Sequence, residues 1–154
     1  RATLGRVGVG VAVRQDAPVP EIADLAGFRR AIEEAERVLF NRASTGLYLE
    51  RLFERLGMTA MVTPKALRFA TGAEVMRHLL ESNGRAIALA PVTEILLVPA
   101  ARFVGPLPAE IQNFTAYAAA LLPNGPPGAA ALFAYLSGPE ARGAFAAAGI
   151  EAVP

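Results

Sequence analysis

The chain has 154 residues, and its 15 Lys and Arg against 14 Asp and Glu give a formal net charge of +1. This length suits one sizeable domain, or one lobe of a two-lobed protein with pieces of the second. The even charge balance argues against a basic nucleic-acid-binding face, so we expect no nucleic-acid partner. The absence of cysteine from the sequence excludes disulfides, thiolate metal sites and cysteine catalysis.

The hydrophobic content points to an α/β fold. Hydrophobic residues make up 53% of the sequence, which favours parallel strands covered on both faces by helices. No apolar run reaches the ~20 residues that a membrane span requires, because Glu94 and several prolines interrupt the richest region. The chain begins Arg-Ala-Thr-Leu, without Met or an apolar leader. We therefore expect a processed protein or an excised fragment.

The first third of the chain alternates between strand and helix patterns. β-branched residues at every second position predict a strand from Val7 to Val13. Gly8 and Gly10 in this strand suggest a dinucleotide-binding turn, but Val13 stands where the third glycine belongs. Apolar residues at helical spacing then predict a helix over 25–35, with Asp24 as its N-cap.

The segment 41–48, Asn-Arg-Ala-Ser-Thr-Gly-Leu-Tyr, is the strongest candidate for ligand binding. It joins a short apolar strand to an amphipathic helix, so it forms a helix N-terminus. Ser44 or Thr45 is predicted to cap that helix, and its first-turn amides, which lack intrahelical acceptors, could bind an oxyanion. The alternative is an ordinary capped helix whose Ser and Thr satisfy only their own backbone.

Two further junctions of the same kind follow. After a turn over 58–64, a strand over 65–69 leads into a helix capped by Thr71 or Gly72, and a strand over 85–91 leads into a short helical turn. In open α/β sheets, ligands bind outside the carboxyl ends of the strands. The predicted ligand-binding residues are therefore Ala43, Ser44, Thr45, Thr71, Gly72, Ala73, Ala90 and Pro91.

The last third begins with a strand over 112–122 and contains the clearest break in the chain, Pro123-Asn-Gly-Pro-Pro-Gly128. Beyond it we predict one helix from Ala129 and a second that begins at Pro139 and ends near Ala148. The apolar residues of these helices need a cover. We therefore expect this chain to associate with itself.

Several segments, in this order, resemble one family. They are Val7–Arg14, the turn at Pro18 and Pro20, Asn41–Gly46, Thr71–Glu74, Gly105–Asn113 and Leu136–Arg142. Together they are similar to the molybdate-type, ModA-like extracellular solute-binding proteins of ABC transporters. The resemblance covers nearly the whole chain.

The resemblance implies an α/β fold of the periplasmic-binding-protein type II kind. This chain would supply one complete lobe with the hinge strands, plus the C-terminal helices of the other lobe. Residues 16–112 would form lobe 2, the ligand-binding lobe, and residues 1–15 and 113–154 would form the hinge strands and the remnant of lobe 1. The opening part of lobe 1 has no counterpart here.

The resemblance also implies a function. The chain would be the periplasmic or extracellular, membrane-associated receptor of an ABC importer, with a membrane permease as its partner. Its ligand would be a small oxyanion, such as molybdate or tungstate, or a small polar organic anion, held by neutral donors without a countercharge. Leu89 stands where molybdate binders carry a Tyr in the third loop, so the identity of the ligand stays open.

Two other classes of function compete with this one. The same bilobal fold serves as the ligand-sensing domain of intracellular regulators, which is the alternative reading. An enzyme is disfavoured, because the sequence has no Ser/His/Asp order, P-loop or metal-ligand spacing. We expect no catalytic residue, no cofactor and no metal.

Overall fold

The computed structural model describes residues 1–153. The chain divides into two compact units. The larger unit contains residues 8–113, and the smaller one contains residues 1–7 and the segment from Phe114 onward. The long first strand, β1 (Ala2–Arg14), contributes to both units.

The larger unit is built on a mixed sheet. Its further strands are β2 (Arg37–Asn41), β3 (Ala66–Phe69), β4 (Ala86–Pro91) and β5 (Ala101–Pro106), and the spatial order is β3-β2-β4-β1-β5. Strand β2 runs parallel to both β3 and β4, whereas β1 is antiparallel to β4 and β5. The three parallel strands therefore end at one edge of the sheet.

Helices cover both faces of this sheet. They are α1 (Leu25–Glu34), α2 (Ser44–Arg55), α3 (Thr59–Val62), α4 (Gly72–Glu81) and α5 (Val92–Leu96). Side chains alternate between the faces of a strand, so Val38 and Phe40 pack with α1 and α2, while Leu39 between them packs with α4. The apolar content of the sequence thus predicted a sheet buried on both faces correctly.

The segment 58–64 was predicted as a turn, and this prediction is wrong. It contains α3 and most of a 3₁₀ turn over Thr63–Lys65. Met58 and Val62 are buried in the core one helical turn apart, and their burial stabilises a helix too short to form alone. Lys65, the last residue of this 3₁₀ turn, caps the end of α1: its Nζ donates to the carbonyls of Ile32, Glu33 and Ala35 at 2.7, 2.9 and 2.8 Å.

The strand predicted over 112–122 is shorter than expected. It begins only at Phe114, because the Gln112 side chain bonds to β1 instead of continuing a ladder. Gln112 Oε1 accepts from the Val9 amide at 2.8 Å, and its Nε2 donates to the Val9 carbonyl at 2.9 Å. Gly8 permits this contact, because a Cβ there would lie 3.0 Å from Gln112 Nε2.

The smaller unit has one strand, β6 (Phe114–Ala119), which pairs with β1, and two helices, α6 (Ala129–Ser137) and α7 (Pro139–Ala147). Pro139 occupies the first turn of α7, as predicted. Arg6 and Glu151 form an antiparallel bridge with backbone N···O distances of 2.9 and 2.8 Å. No residue of α6 is buried, and self-association through it stays a prediction. None of the helices within residues 1–153 has the length and hydropathy needed to cross a bilayer.

Candidate functional site

Three helices begin at the edge where the parallel strands end. Strands β2, β3 and β4 lead directly into α2, α4 and α5. The loop after β2 is tied to the end of β3, because the Arg42 amide donates to the Phe69 carbonyl at 2.8 Å. Neighbouring strands lie about 5 Å apart, so a small ligand could contact two helix starts at once.

The start of α2 is capped from the strand that precedes it. The N-cap residue is Ala43, which offers no side-chain acceptor, so the prediction that Ser44 or Thr45 caps this helix is wrong. Asn41 Oδ1 replaces them by accepting from the amides of Ala43 at 3.1 Å and Gly46 at 2.8 Å. Glycine is needed at position 46, since a Cβ there would lie 1.8 Å from the Asn41 carbonyl oxygen.

This arrangement leaves donors without acceptors. Asn41 and Thr45 are only 5% and 6% exposed, yet neither Asn41 Nδ2 nor the Thr45 hydroxyl has a hydrogen-bond partner within residues 1–153. Among those residues, the only fully buried side-chain nitrogen or oxygen without a hydrogen-bond partner is Arg68 Nε. Asn41 Nδ2 and Thr45 Oγ1 are therefore not fully buried, and both reach the surface. The first-turn amides of Ser44 and Thr45 have no acceptor among the described residues either.

We name these groups, Asn41 Nδ2, Thr45 Oγ1 and the amides of Ser44 and Thr45, the α2 donor cluster. Buried polar groups in folded proteins are nearly always hydrogen-bonded. Donors that are nearly buried but reach the surface without a partner in the fold are therefore suited to an acceptor that arrives from outside. The positive end of the α2 dipole favours an anionic one.

The start of α4 differs, because its own residues satisfy it. Thr71 Oγ1 accepts from the Glu74 amide at 3.2 Å, and Glu74 Oε2 accepts from the amides of Ala70 and Thr71 at 2.9 and 3.2 Å. This reciprocal capping box confirms Thr71 as the cap. Gly72 is buried next to it, while Ala73 is exposed.

Glu94, in the first turn of α5, lies against the start of α4. Its Oε2 lies 1.4 Å from the position that a Cβ on Gly72 would occupy, so its carboxylate fills the space that the glycine leaves. Burial raises the pKa of the Glu94 carboxyl above its ordinary value of 4.5.

The end of β4 contributes less than the sequence suggested. Leu89 and Ala90 are strand residues rather than loop residues, and both are buried in the core, on opposite faces of the sheet. Leu89 is fully buried with α1 and α2, so its side chain cannot replace a ligand-contacting phenol. Pro91, the last residue of β4, has no amide hydrogen, and α5 has only 5 residues.

The structure therefore separates the predicted site residues. Ser44 and Thr45 lie in the α2 donor cluster and Ala43 precedes it, whereas Thr71, Gly72 and Ala73 lie at a start that is capped by its own side chains. The role of the Asn41 side chain was not predicted, although the sequence has an Asn at a strand end followed by a glycine in the next helix. The position of Glu94 against Gly72 had no signal in the sequence.

The edge also carries a positive charge that was not expected. Arg42 is exposed and forms no ion pair within residues 1–153. It immediately precedes the N-cap of α2. The expectation of neutral donors without a countercharge stays a prediction, because the exposed Arg42 side chain contacts none of these donors.

Comparison with known proteins gives the following relatives. The profile of a family described as bacterial extracellular solute-binding protein matches residues 1–151. An aconitate isomerase from Pseudomonas sp is 30% identical over 157 residues, which cover 100% of this chain and 59% of that protein. The chain thus spans about three fifths of the length of this relative.

Two solved structures show the fold. A substrate-binding domain assigned to a molybdenum ABC transporter of Clostridium difficile superposes with a TM-score of 0.77 at 11% identity, over 99% of this chain and 66% of that one. An R. palustris protein solved with adipate superposes with a TM-score of 0.58 at 16% identity, over 98% of this chain and 58% of that one. Mixed α/β architecture of the periplasmic-binding-protein type II kind, as predicted, is therefore confirmed.

Proposed function

The chain belongs to the bacterial extracellular solute-binding protein family, and on that premise we propose that its α2 donor cluster binds a small anion for an ABC-type importer. The observation that carries this proposal is the pair of nearly buried, unpartnered side-chain donors, Asn41 Nδ2 and Thr45 Oγ1. Polar side chains buried to this degree are nearly always hydrogen-bonded to protein or to water, so these two donors can bind a ligand that displaces water from them.

The chemistry of the cluster suits one oxyanion or carboxylate group. The amides of Ser44 and Thr45 and the two side-chain donors offer hydrogen bonds to negatively charged oxygens, which are stronger than bonds to neutral ones. The dipole of α2, a helix of 12 residues, adds a favourable potential at the same point. Arg42 supplies a full positive charge nearby, which favours a carboxylate or other oxyanion further.

Two ligand classes are compatible with these donors. Inorganic oxyanions of the molybdate type are one, which the ModA-like resemblance suggests. Small organic acids are the other, and the names of the aconitate isomerase relative and of the adipate complex direct attention to dicarboxylates and tricarboxylates. A permease in the membrane is the partner that such a receptor requires, and the periplasm or the outer face of the membrane is where it would act.

The proposed role is binding without chemistry. The candidate edge carries hydrogen-bond donors and Glu94, but its residues form no nucleophile–base pair within the described part of the chain. The aconitate isomerase relative makes a direct test worthwhile. Incubation with cis- or trans-aconitate, followed by chromatography, should show no interconversion, and conversion that depends on the protein would overturn this part of the proposal.

A variant that introduces a negative charge tests the binding site. Ser44 is exposed and occupies the first position of α2, where an aspartate fits the helix dipole and should not impair folding. In Ser44→Asp, however, the new carboxylate would repel any anion at the α2 donor cluster. We expect affinity for the tightest-binding anion to fall by about a hundredfold, or roughly 2.7 kcal/mol, in calorimetric titration.

Ala130→Asp is the matched control, because it adds the same charge near the start of α6 in the smaller unit. Sulfate, molybdate, adipate and aconitate should be titrated against the 154-residue chain and against the longest gene product that contains it. Binding that survives Ser44→Asp would exclude the α2 donor cluster as the site. An absence of heat with all four anions in both proteins would contradict anion binding itself.

A further inference from the structure

Glu94 is an acidic group in an unexpected place. It is half-buried at the edge that should attract anions, and its carboxylate lies against Gly72 at the start of α4. Within residues 1–153 it forms no hydrogen bond and no ion pair, so nothing in the fold explains why a carboxylate rather than an amide or an apolar group stands here.

The charged groups on the elements that pack against α5 are engaged elsewhere. Helix α4 and strand β5 contribute the charged or titratable residues Glu74, Arg77, His78, Glu81 and Arg102, and β4 contributes none. Glu74 accepts from its own capping box, and Arg77 pairs with Glu81. His78 stacks on Phe69 with ring centroids 4.1 Å apart, and Arg102 donates to the Gln15 carbonyl. None of them neutralises Glu94, and its raised pKa has burial as its cause.

Glu94 also lies near the α2 donor cluster in the fold. Strands β2 and β4 are parallel neighbours, with Leu39 opposite Ala88, so their ends at Asn41 and Pro91 lie side by side. Helix α5 begins directly after Pro91, and Glu94 is in its first turn. A ligand at the α2 donor cluster that extends toward α4 would therefore meet the Glu94 carboxylate.

From this placement we propose that Glu94 sets the ligand class: it rejects inorganic dianions that would span both helix starts and admits organic acids. The inference rests on the proposed function. It assigns different roles to the two starts: α2 receives the negative charge of the ligand, whereas α4 already holds a carboxylate of the protein.

The physical reason is the distribution of charge in the two ligand classes. A tetrahedral dianion such as sulfate or molybdate carries charge on every side, so any contact between α2 and α4 brings its oxygens toward a like charge. An organic dicarboxylate keeps its charges at its ends. It can direct one carboxylate to the α2 donor cluster, extend the other away from α4, and present methylene or hydroxyl groups to Glu94.

The test compares Glu94→Gln with a matched control, Glu36→Gln. Glu36 is also packed against a glycine, since its Oε2 lies 2.1 Å from the position of a Cβ on Gly84, but Gly84 precedes the start of β4, at the other end of that strand. Calorimetric titrations with sulfate, molybdate and adipate should be run on the wild type and both variants, with thermal unfolding as a check on folding.

In the wild type we expect adipate to bind at least about tenfold more tightly than sulfate or molybdate. Glu94→Gln should raise the affinity for both inorganic dianions by about tenfold and change that for adipate by less than about threefold. Sulfate remains a dianion as the pH falls, so its affinity for the wild type should rise as Glu94 becomes protonated. This pH dependence should vanish in Glu94→Gln and persist in Glu36→Gln.

The outcomes separate this inference from the proposed function. If the wild type binds sulfate or molybdate as tightly as adipate, or if Glu94→Gln leaves their affinities unchanged, the role of Glu94 is refuted while anion binding stands. If neither adipate nor the inorganic anions bind to the wild type or to either variant, the proposed function is refuted, and the inference is refuted with it.

Discussion

The starts of α2 and α4 are two versions of the same junction with opposite outcomes. Both follow a parallel strand at the same edge, and both are rich in hydroxyl groups and glycine. At α4, Thr71 and Glu74 satisfy the helix with their own side chains. At α2, Asn41 satisfies two amides from the preceding strand and leaves Thr45 and its own Nδ2 without partners. A helix start can therefore be closed by its own residues or left open for a ligand.

The largest effect should come from removing the Asn41 side chain. Asn41→Ala takes the acceptor from the Ala43 and Gly46 amides, of which the second is buried. Leaving buried donors without an acceptor should reduce the free energy of unfolding by about 3 kcal/mol, as measured by urea denaturation.

Asn41→Asp is the informative partner of that variant. It keeps an oxygen for both amides, so we expect it to retain most of the stability that Asn41→Ala loses. It also replaces the free Nδ2 donor with a negatively charged acceptor. We therefore expect Asn41→Asp to lose affinity for the anion. Equal stability of the two variants would mean that Asn41 does not cap α2.

The next effect concerns binding rather than stability. Thr45→Val replaces the unpartnered hydroxyl with a methyl group of similar size. The protein should not become less stable, because no hydrogen bond within the fold is lost. Affinity for the bound anion should fall by about tenfold, or roughly 1.4 kcal/mol, in calorimetric titration. A loss of stability with unchanged affinity would assign Thr45 a structural role instead.

At the start of α4 we expect a loss of stability without a loss of anion affinity. Thr71→Ala removes the acceptor for the Glu74 amide and one half of the capping box. Such a loss costs about 1 kcal/mol of stability, which chemical denaturation can resolve. Anion affinity should remain within about twofold of the wild type. A large fall in affinity would show that α4 contributes to the site and that the contrast between the two starts is wrong.

The smallest effect is the pH dependence of stability that Glu94 contributes. Its pKa is raised in the folded protein, so the folded state binds more protons than the unfolded state above the ordinary value of 4.5. Stability should therefore decrease as the pH rises from 4.5 through the raised pKa. Urea denaturation of the wild type and Glu94→Gln across this interval should show a flatter profile for the variant, and parallel profiles would contradict the assignment.

The sequence allowed the elements to be predicted where local signals agree with the core. Asp24 caps α1 as expected, with its carboxylate accepting from the Gly27 amide at 2.7 Å, and the short apolar run that became β2 is buried on both faces. The helix α3 was missed because its stability comes from burying Met58 and Val62, and four residues carry no helical period.

The candidate site was predicted in outline but not in detail. Parallel strands followed by hydroxyl-rich helix starts located the correct edge of the sheet. Which side chain caps which amide depends on the path of the loop, so the choice of Asn41 over Ser44 could not be read from spacing. The contact between Glu94 and Gly72 joins residues on different helices, and no local pattern encodes it.

Lys65 is the only lysine in the sequence, and its Nζ is held by the carbonyls that end α1. An amine held by three carbonyls should react more slowly with an acylating reagent than a free lysine, and faster when the end of α1 opens. The rate at which Lys65 is acylated, followed by mass spectrometry, therefore reports on local opening of the larger unit. The fold thus contains its own reporter of native-state dynamics, with no label to engineer.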